Sequence, residues 1–225
     1  MKKVIMSKAE FAEFNTEMAR LKEITWKGYA KTLKDIGIAY LGKVGVSAKL
    51  VHSERFSLVN TYGIYLASSD LSGFNVCSHS AYCRDNCLMG SGRNRANRLA
   101  GMSDIDRSRI IKTRLFFANR EVFMRLMVCE IKREMERARL IGHFFAVRLN
   151  CTSDLSPELF RLGNKNILEI FKNVIFYDYT KVPSRLSLAK KYSNYDITWS
   201  IDGSEENLKI GLEFIETGGR VAVVY

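Results

Sequence analysis

Cys77, Cys83 and Cys87 stand at C-x5-C-x3-C spacing in the stretch NVCSHSAYCRDNCLMGSGR, residues 75–93, with a glycine-rich turn directly behind them. Three thiols within eleven residues, in a chain whose five cysteines form no even framework, point to a metal centre rather than to disulfides or packing. Thiolates are soft ligands, suited to zinc or to iron-sulfur clusters. Zinc closes a structural site with four ligands. His79 is a candidate fourth, but it lies only two residues from Cys77, a cramped gap for a zinc loop. The same gaps occur in the last three ligands of Cys3His fingers, whose upstream ligand has no counterpart here, since residues 56–76 contain neither Cys nor His. A four-iron cluster held by three cysteines leaves one iron open to substrate or cofactor, so a triad without an evident fourth ligand favours the cluster. Zinc and a metal-free triad remain the alternatives.

Charge supplies a second candidate function. The chain carries a formal net charge of +11, which attracts polyanions, and the cations are concentrated directly behind the cysteines. Residues 93–114 hold Arg93, Arg95, Arg98, Arg107, Arg109, Lys112 and Arg114 against only Asp104 and Asp106. The arginines of this run are expected to contact phosphates of nucleic acid or of a smaller phosphate-bearing ligand; the competing reading is a solvated helix face. Cys129 and Cys151 lie far from the triad in apolar surroundings and read as small packing residues. The three histidines, His52, His79 and His143, offer no recognisable base for a nucleophilic thiol, which argues against cysteine and general hydrolases.

The elements that must position these groups alternate. Ser7 and Glu10 form a capping box ahead of Phe11, Phe14, Met18 and Leu21 at helical spacing, and a second helix is expected over 26–36. Residues 1–54 therefore read as an N-terminal helical extension, with 43–54 irregular or a short strand. A strand rich in aromatic and β-branched residues is predicted over 56–66. Asn119 can cap a helix over 120–140 with Val122, Phe123, Leu126, Met127, Ile131 and Met135 on its apolar face. Beyond it the pattern predicts strand 143–149, helix 158–171, strand 174–177, helix 186–192, strand 196–199, helix 207–216 and strand 221–224. Such repetition over 55–225 implies an α/β domain with a mainly parallel sheet, open or closed partway into a (β/α) barrel.

Chemistry in these architectures gathers at the carboxyl ends of the strands. The loops expected there carry Asn150, Ser153 and Asp154, then Asp178 and Lys181, then Ser200, which are candidates for binding a polar cofactor or substrate. Helix capping competes for some of this polarity, through Asp154 or Ser156 ahead of Pro157 and through Asp202 or Ser204. No window reaches eighteen apolar residues and no leader pattern opens the chain, so a soluble cytoplasmic protein without a membrane partner is expected.

The runs TYGIYLASSDLSGFNVCSHSAYCRDNCLMGSGR, RIIKTRLFFANREVFM, FAVRLNCTSD, VIFYDYTKVPSR and VAVVY resemble, in this order over 56–225, the bacteriophage gene product eighty-eight-like family. Its members look like distant relatives of radical-SAM enzymes. That likeness implies a radical-SAM-like partial barrel in which Cys77, Cys83 and Cys87 bind three irons of a [4Fe-4S] cluster and S-adenosylmethionine chelates the fourth. It also implies an electron donor as partner and, for a phage-encoded chain, the bacterial host cytoplasm.

Overall fold

The computed structural model describes residues 28–45, 48–69, 71–80, 82–84, 87 and 102–223. Its centre is a six-stranded sheet made of β1 (Gly42–Val44), β2 (Val59–Ile64), β3 (Phe144–Arg148), β6 (Ile175–Thr180), β7 (Tyr195–Ser200) and β8 (Arg220–Ala222). A separate two-stranded ribbon pairs β4 (Arg161–Leu162) with β5 (Lys165–Asn166). In the main sheet the strands lie in sequence order; β1 is antiparallel to β2 and every later join is parallel. The expected mainly parallel α/β architecture is therefore present, and the sheet ends in two edges, β1 and β8, without closing into a barrel.

Strand order has a consequence for the layers. Right-handed crossovers that always add the next strand on the same side leave their helices on one face, as in an arc of a barrel, and give no point at which the order reverses. The helices are α1 (Tyr29–Asp35), α2 (Ala48–Ser57), α3 (Asp104–Ala118), α4 (Arg120–Leu140), α5 (Ile167–Ile170), α6 (Leu186–Lys191) and α7 (Glu205–Glu216). Alternate strand residues Tyr62 and Ile64, Val147, Phe176, and Tyr195 and Ile197 point into one core with Phe123, Met124, Met127 and Ile131 of α4. Trp199 continues that face on β7, and its Nε1 donates to Asn207 O of α7 at 2.9 Å. Among the described residues no helix is long and apolar enough to cross a membrane.

Local sequence accounts for several boundaries. Asn119 caps α4 by accepting from Val122 N, and Ser204 caps α7 by accepting from Asn207 N. The predicted strand over 56–66 starts later, because α2 runs through Ser57 and Leu58 breaks the chain at φ 54°. Nor do residues 158–171 form one helix: Pro157–Leu159 is a single 3-10 turn, Gly163 turns the ribbon at φ 59°, and Asn166 begins α5 with a complete capping box. Met135, expected on the buried face of α4, is 36% exposed. Cys129 and Cys151 are half-buried, and the capping-box helix expected near residue 7 lies outside the described residues.

The described part of the segment assigned to an extension, 1–54, shares the main core. Tyr29, Leu33, Ile36, Ile38 and Leu41 join the same buried cluster as α4, and β1 pairs with β2. One carboxylate fastens this edge. Glu130 of α4 is fully buried and accepts from Leu41 N and Gly42 N, each at 2.9 Å, and from the hydroxyls of Tyr29 and Tyr62. Nearby Lys112 is buried 4.3 Å above the Tyr40 ring; burial pulls its pKa down to about 8 against the attraction of Glu130.

Removing the Glu130 carboxylate strands two buried backbone donors and two tyrosine hydroxyls. Glu130→Ala is expected to lower unfolding stability by about 3–5 kcal/mol in urea denaturation. A loss below about 1 kcal/mol would show that β1 does not depend on this carboxylate.

Candidate metal centre at the carboxyl rim of the sheet

The loops that follow β2, β3, β6 and β7 meet at one end of the sheet, and a buried cation ties them together. Arg185, 1% exposed in a 3-10 turn after β6, donates through Nη2 to Asp178 Oδ2 at 2.9 Å, and through Nη1 to Asp154 Oδ1. Tyr195 from β7 bonds the same guanidinium and donates to Asp178 Oδ2 at 3.1 Å. Burial opposes the charge on Arg185, but the two carboxylates and the tyrosine outweigh it and raise its pKa. Asp178 also accepts from Asn150 N at 2.9 Å and Asn150 Nδ2 at 2.8 Å. Asn150 in turn accepts from Ser153 Oγ and Leu155 N, which folds the loop after β3 back on itself.

That loop carries the cysteine segment. Asp154 N donates to Val76 O at 2.8 Å, Thr152 Oγ1 donates to Leu66 O at 2.6 Å, and Cys77 Sγ lies 3.9 Å from Thr152 O. From the other side α3 holds the approach to the cysteines: Thr113 Oγ1 accepts from Ala67 N at 2.8 Å, Arg114 Nε donates to Ser72 O at 3.2 Å, and Phe74 stacks on Phe117 at 4.4 Å between centroids. Cys77 is thus pinned between two loops whose geometry the sheet sets.

All three thiols are free and half-buried. Burial pushes the Cys77 thiol up to about 11, with further contributions from Asp154, Cys83 and Cys87. Burial raises Cys83 as well; Lys181 counters that rise, while Cys87, Asp202 and Asp154 add to it. The triad therefore lies within mutual electrostatic reach, beside Asp154, Lys181 and Asp202 from three successive loops. Among the described residues no three His, Cys, Asp or Glu side chains converge on a single ion position. His79 is exposed, and its Nδ1 lies 3.0 Å from the Ser78 hydroxyl.

The polar residues proposed from the loops are brought together in one network. Asn150 and Asp178 are buried and bonded to each other; Ser153 is bonded to Asn150. Asp154 accepts from Lys181 N and Thr180 Oγ1, each at 2.8 Å, and Lys181 Nζ donates to Ser200 Oγ at 3.2 Å. Arg185 and Tyr195, which organise this network, were invisible to pattern reading, since an arginine in a turn reads as solvated and a tyrosine in a strand as packing.

The basic run divides. Arg93, Arg95 and Arg98 lie outside the described residues. Arg107 is exposed on α3, whereas Arg109 is largely buried, 3.9 Å from Asp106 Oδ1 and over the Tyr65 ring, and Arg114 supports the loop at Ser72. The helix carrying these three matches the competing reading of this run as a helix face, but Arg109 is not solvated on it.

A family model described as Gene product 88 matches residues 26–225. No curated protein and no solved structure matches the chain.

Two expectations follow from this geometry. A thiol raised from 9 to about 11 holds about a hundredfold less thiolate at neutral pH, so metal-free Cys77 should alkylate about a hundredfold more slowly than free cysteine, as read by peptide mass spectrometry. A rate within about threefold of free cysteine would contradict its burial. Arg185→Met, which leaves Asp178 and Asp154 without their cation, is expected to cost about 3–5 kcal/mol by denaturant unfolding. Arg185→Lys should recover only part of this, because an ammonium cannot bridge both carboxylates as the planar fork does.

Proposed function

This chain belongs to the Gene product 88 family, a phage protein family, and we propose that it is an iron-sulfur protein holding a [4Fe-4S] cluster on Cys77, Cys83 and Cys87 at the rim of a radical-SAM-like partial barrel. The observation that carries this reading is the placement of three free thiols in one electrostatic neighbourhood at the carboxyl ends of parallel strands wound in sequence order. The donors suit the group in kind, three soft thiols free of disulfides, while among the described residues they do not converge on a single ion position. A cluster held in this way supplies one-electron chemistry and leaves one iron for S-adenosylmethionine.

The chain's own residues have separable tasks in this reading. Cys77, Cys83 and Cys87 lose their protons on ligation, so affinity falls as pH falls. Asn150, Asp178, Asp154 and Arg185 hold the loop after β3 against Val76 and thereby orient Cys77. Lys181, within electrostatic reach of Cys83, together with Ser200, to which it donates, and Ser153 would offer polar contacts to a cofactor or substrate. The gaps of x5 and x3 differ from the C-x3-C-x2-C of radical-SAM enzymes, so cluster binding and reductive cleavage of S-adenosylmethionine, with electrons from a separate donor protein, are tested separately. In the second reading of the same thiols they hold structural zinc.

Anaerobically purified protein is expected to be brown, with about four irons and four sulfides per chain. Its reduced cluster should give a paramagnetic signal that shifts on adding S-adenosylmethionine. Cys77→Ala, Cys83→Ala and Cys87→Ala should each lose iron, while Cys129→Ala and Cys151→Ala keep it. A colourless protein with one zinc per chain would overturn the cluster, and a full cluster blind to S-adenosylmethionine would remove the radical-SAM likeness alone.

A further inference from the structure

Among the described residues α2 covers the second face of the sheet at β2, where Leu50 lies beside Gly63, and the residues of this face on β3, β6 and β7 are unusual for a solvated surface. Alternation places Phe144, Ala146 and Arg148 of β3 on this face, with Ile175, Tyr177 and Tyr179 of β6 and Asp196, Thr198 and Ser200 of β7. Register sets Ala146 against Ile175 and Tyr179 against Thr198. Phe144 is 73% exposed, Ile175 52% and Tyr179 41%, where the outward side of a one-sided sheet is ordinarily polar. The strand registers separate Phe144 from Tyr179 by six residues along the sheet, about 20 Å, so one small aromatic ligand cannot reach both rings.

Cations flank the aromatic groups. The Arg148 guanidinium lies over the Tyr179 ring at 4.8 Å, and its Nε is buried with no hydrogen-bond partner. Opposite Arg148 on β2 stands Gly63, where the space a side chain would take is already filled: a Cβ there would lie 2.8 Å from Cys151 Sγ, 3.1 Å from the Tyr65 ring and 3.5 Å from Leu50 of α2. Further along, Arg220 pairs with Asp196, the acidic residue of this face on β7. The whole chain carries +11.

We propose that the β3–β6 part of this face binds single-stranded nucleic acid, with bases stacked on Tyr179 and Phe144 and a phosphate held at Arg148. Exposed rings on neighbouring strands of an open sheet are stacking platforms for unpaired bases, and a cation between them meets the backbone that joins those bases. A duplex cannot use such platforms because its bases are already stacked on one another. The track runs along β3 and β6 from their amino ends towards the cysteine rim. It does not depend on the metal reading, because none of its residues is a thiol of the triad.

Fluorescence anisotropy with labelled single-stranded DNA, single-stranded RNA and the corresponding duplex, titrated against the full chain, tests this. Single strands are expected to bind more tightly than duplex; preference between the DNA and RNA arms identifies the polymer. Tyr179→Ala and Phe144→Ala should each weaken binding by about 5–100-fold, with unchanged thermal unfolding because both rings are exposed. Arg148→Met should lower the salt dependence by about one counterion. Absence of binding, equal binding of duplex, or full affinity in the Phe144→Ala/Tyr179→Ala double variant would overturn the proposal. So would binding lost only on neutralising Arg93, Arg95 and Arg98, which would move the contact to the basic segment. Iron content of the same variants is read in parallel, so failure here and failure of the cluster reading stay distinguishable.

Discussion

A single buried guanidinium, that of Arg185, decides how the functional end of this molecule is built. Alone in the interior it would be prohibitively costly; between Asp178 and Asp154 it becomes the link joining β6, the loop after β3 and, through Tyr195, β7. Asp154 then has one geometry, in which its backbone amide reaches Val76 beside the first cysteine. Cys77 thereby acquires its place from a buried charge cluster whose guanidinium it does not touch.

Glu130 plays the complementary part at the opposite edge. Its four donors come from α1, the start of β1, and β2, so a short antiparallel strand with little side-chain surface is nevertheless fixed to the sheet. Both nodes follow one physical rule: a charge removed from water must be met on most of its lone pairs or protons, and satisfying it selects one arrangement of the surrounding chain. The basic helix α3 shows the same economy, since Arg114 and Arg109, cations that suggest phosphate binding, are engaged by Ser72 O and by Asp106 and Tyr65.

In-order winding divides the two faces of the sheet by chemistry. One face is covered by α4, α6 and α7 and is apolar; the other carries α2 at β2 and keeps Arg148, Tyr177, Tyr179 and Phe144 towards solvent or partial cover. Rim and open face are continuous at the carboxyl end of β6, where Tyr179 is followed by Thr180, which bonds Asp154, and by Lys181, which borders Cys83. A ligand on the open face and a metal at the thiols would therefore be neighbours.

The amino-acid sequence by itself determined those features whose cause is local. The 120–140 helix was legible because Asn119, the apolar spacing and the cationic last turn all agree, and β3 and β7 because their alternation is regular. The spacing of the thiols marked a candidate site without any structure. Local pattern misled where turn chemistry competed with periodicity: Leu159, Phe160, Leu162, Ile167 and Leu168 imitate a helix, but Gly163 and the Asn166 cap break the segment into a 3-10 turn, a ribbon and a short helix. Strand order, the pairing of Arg185 with residues 7 and 31 positions earlier, and the assignment of aromatic residues to the second face of the sheet were decided only by tertiary structure. Each is a contact between distant segments, and such a contact is selected by the desolvation and packing of the whole core, which no window of neighbouring residues contains.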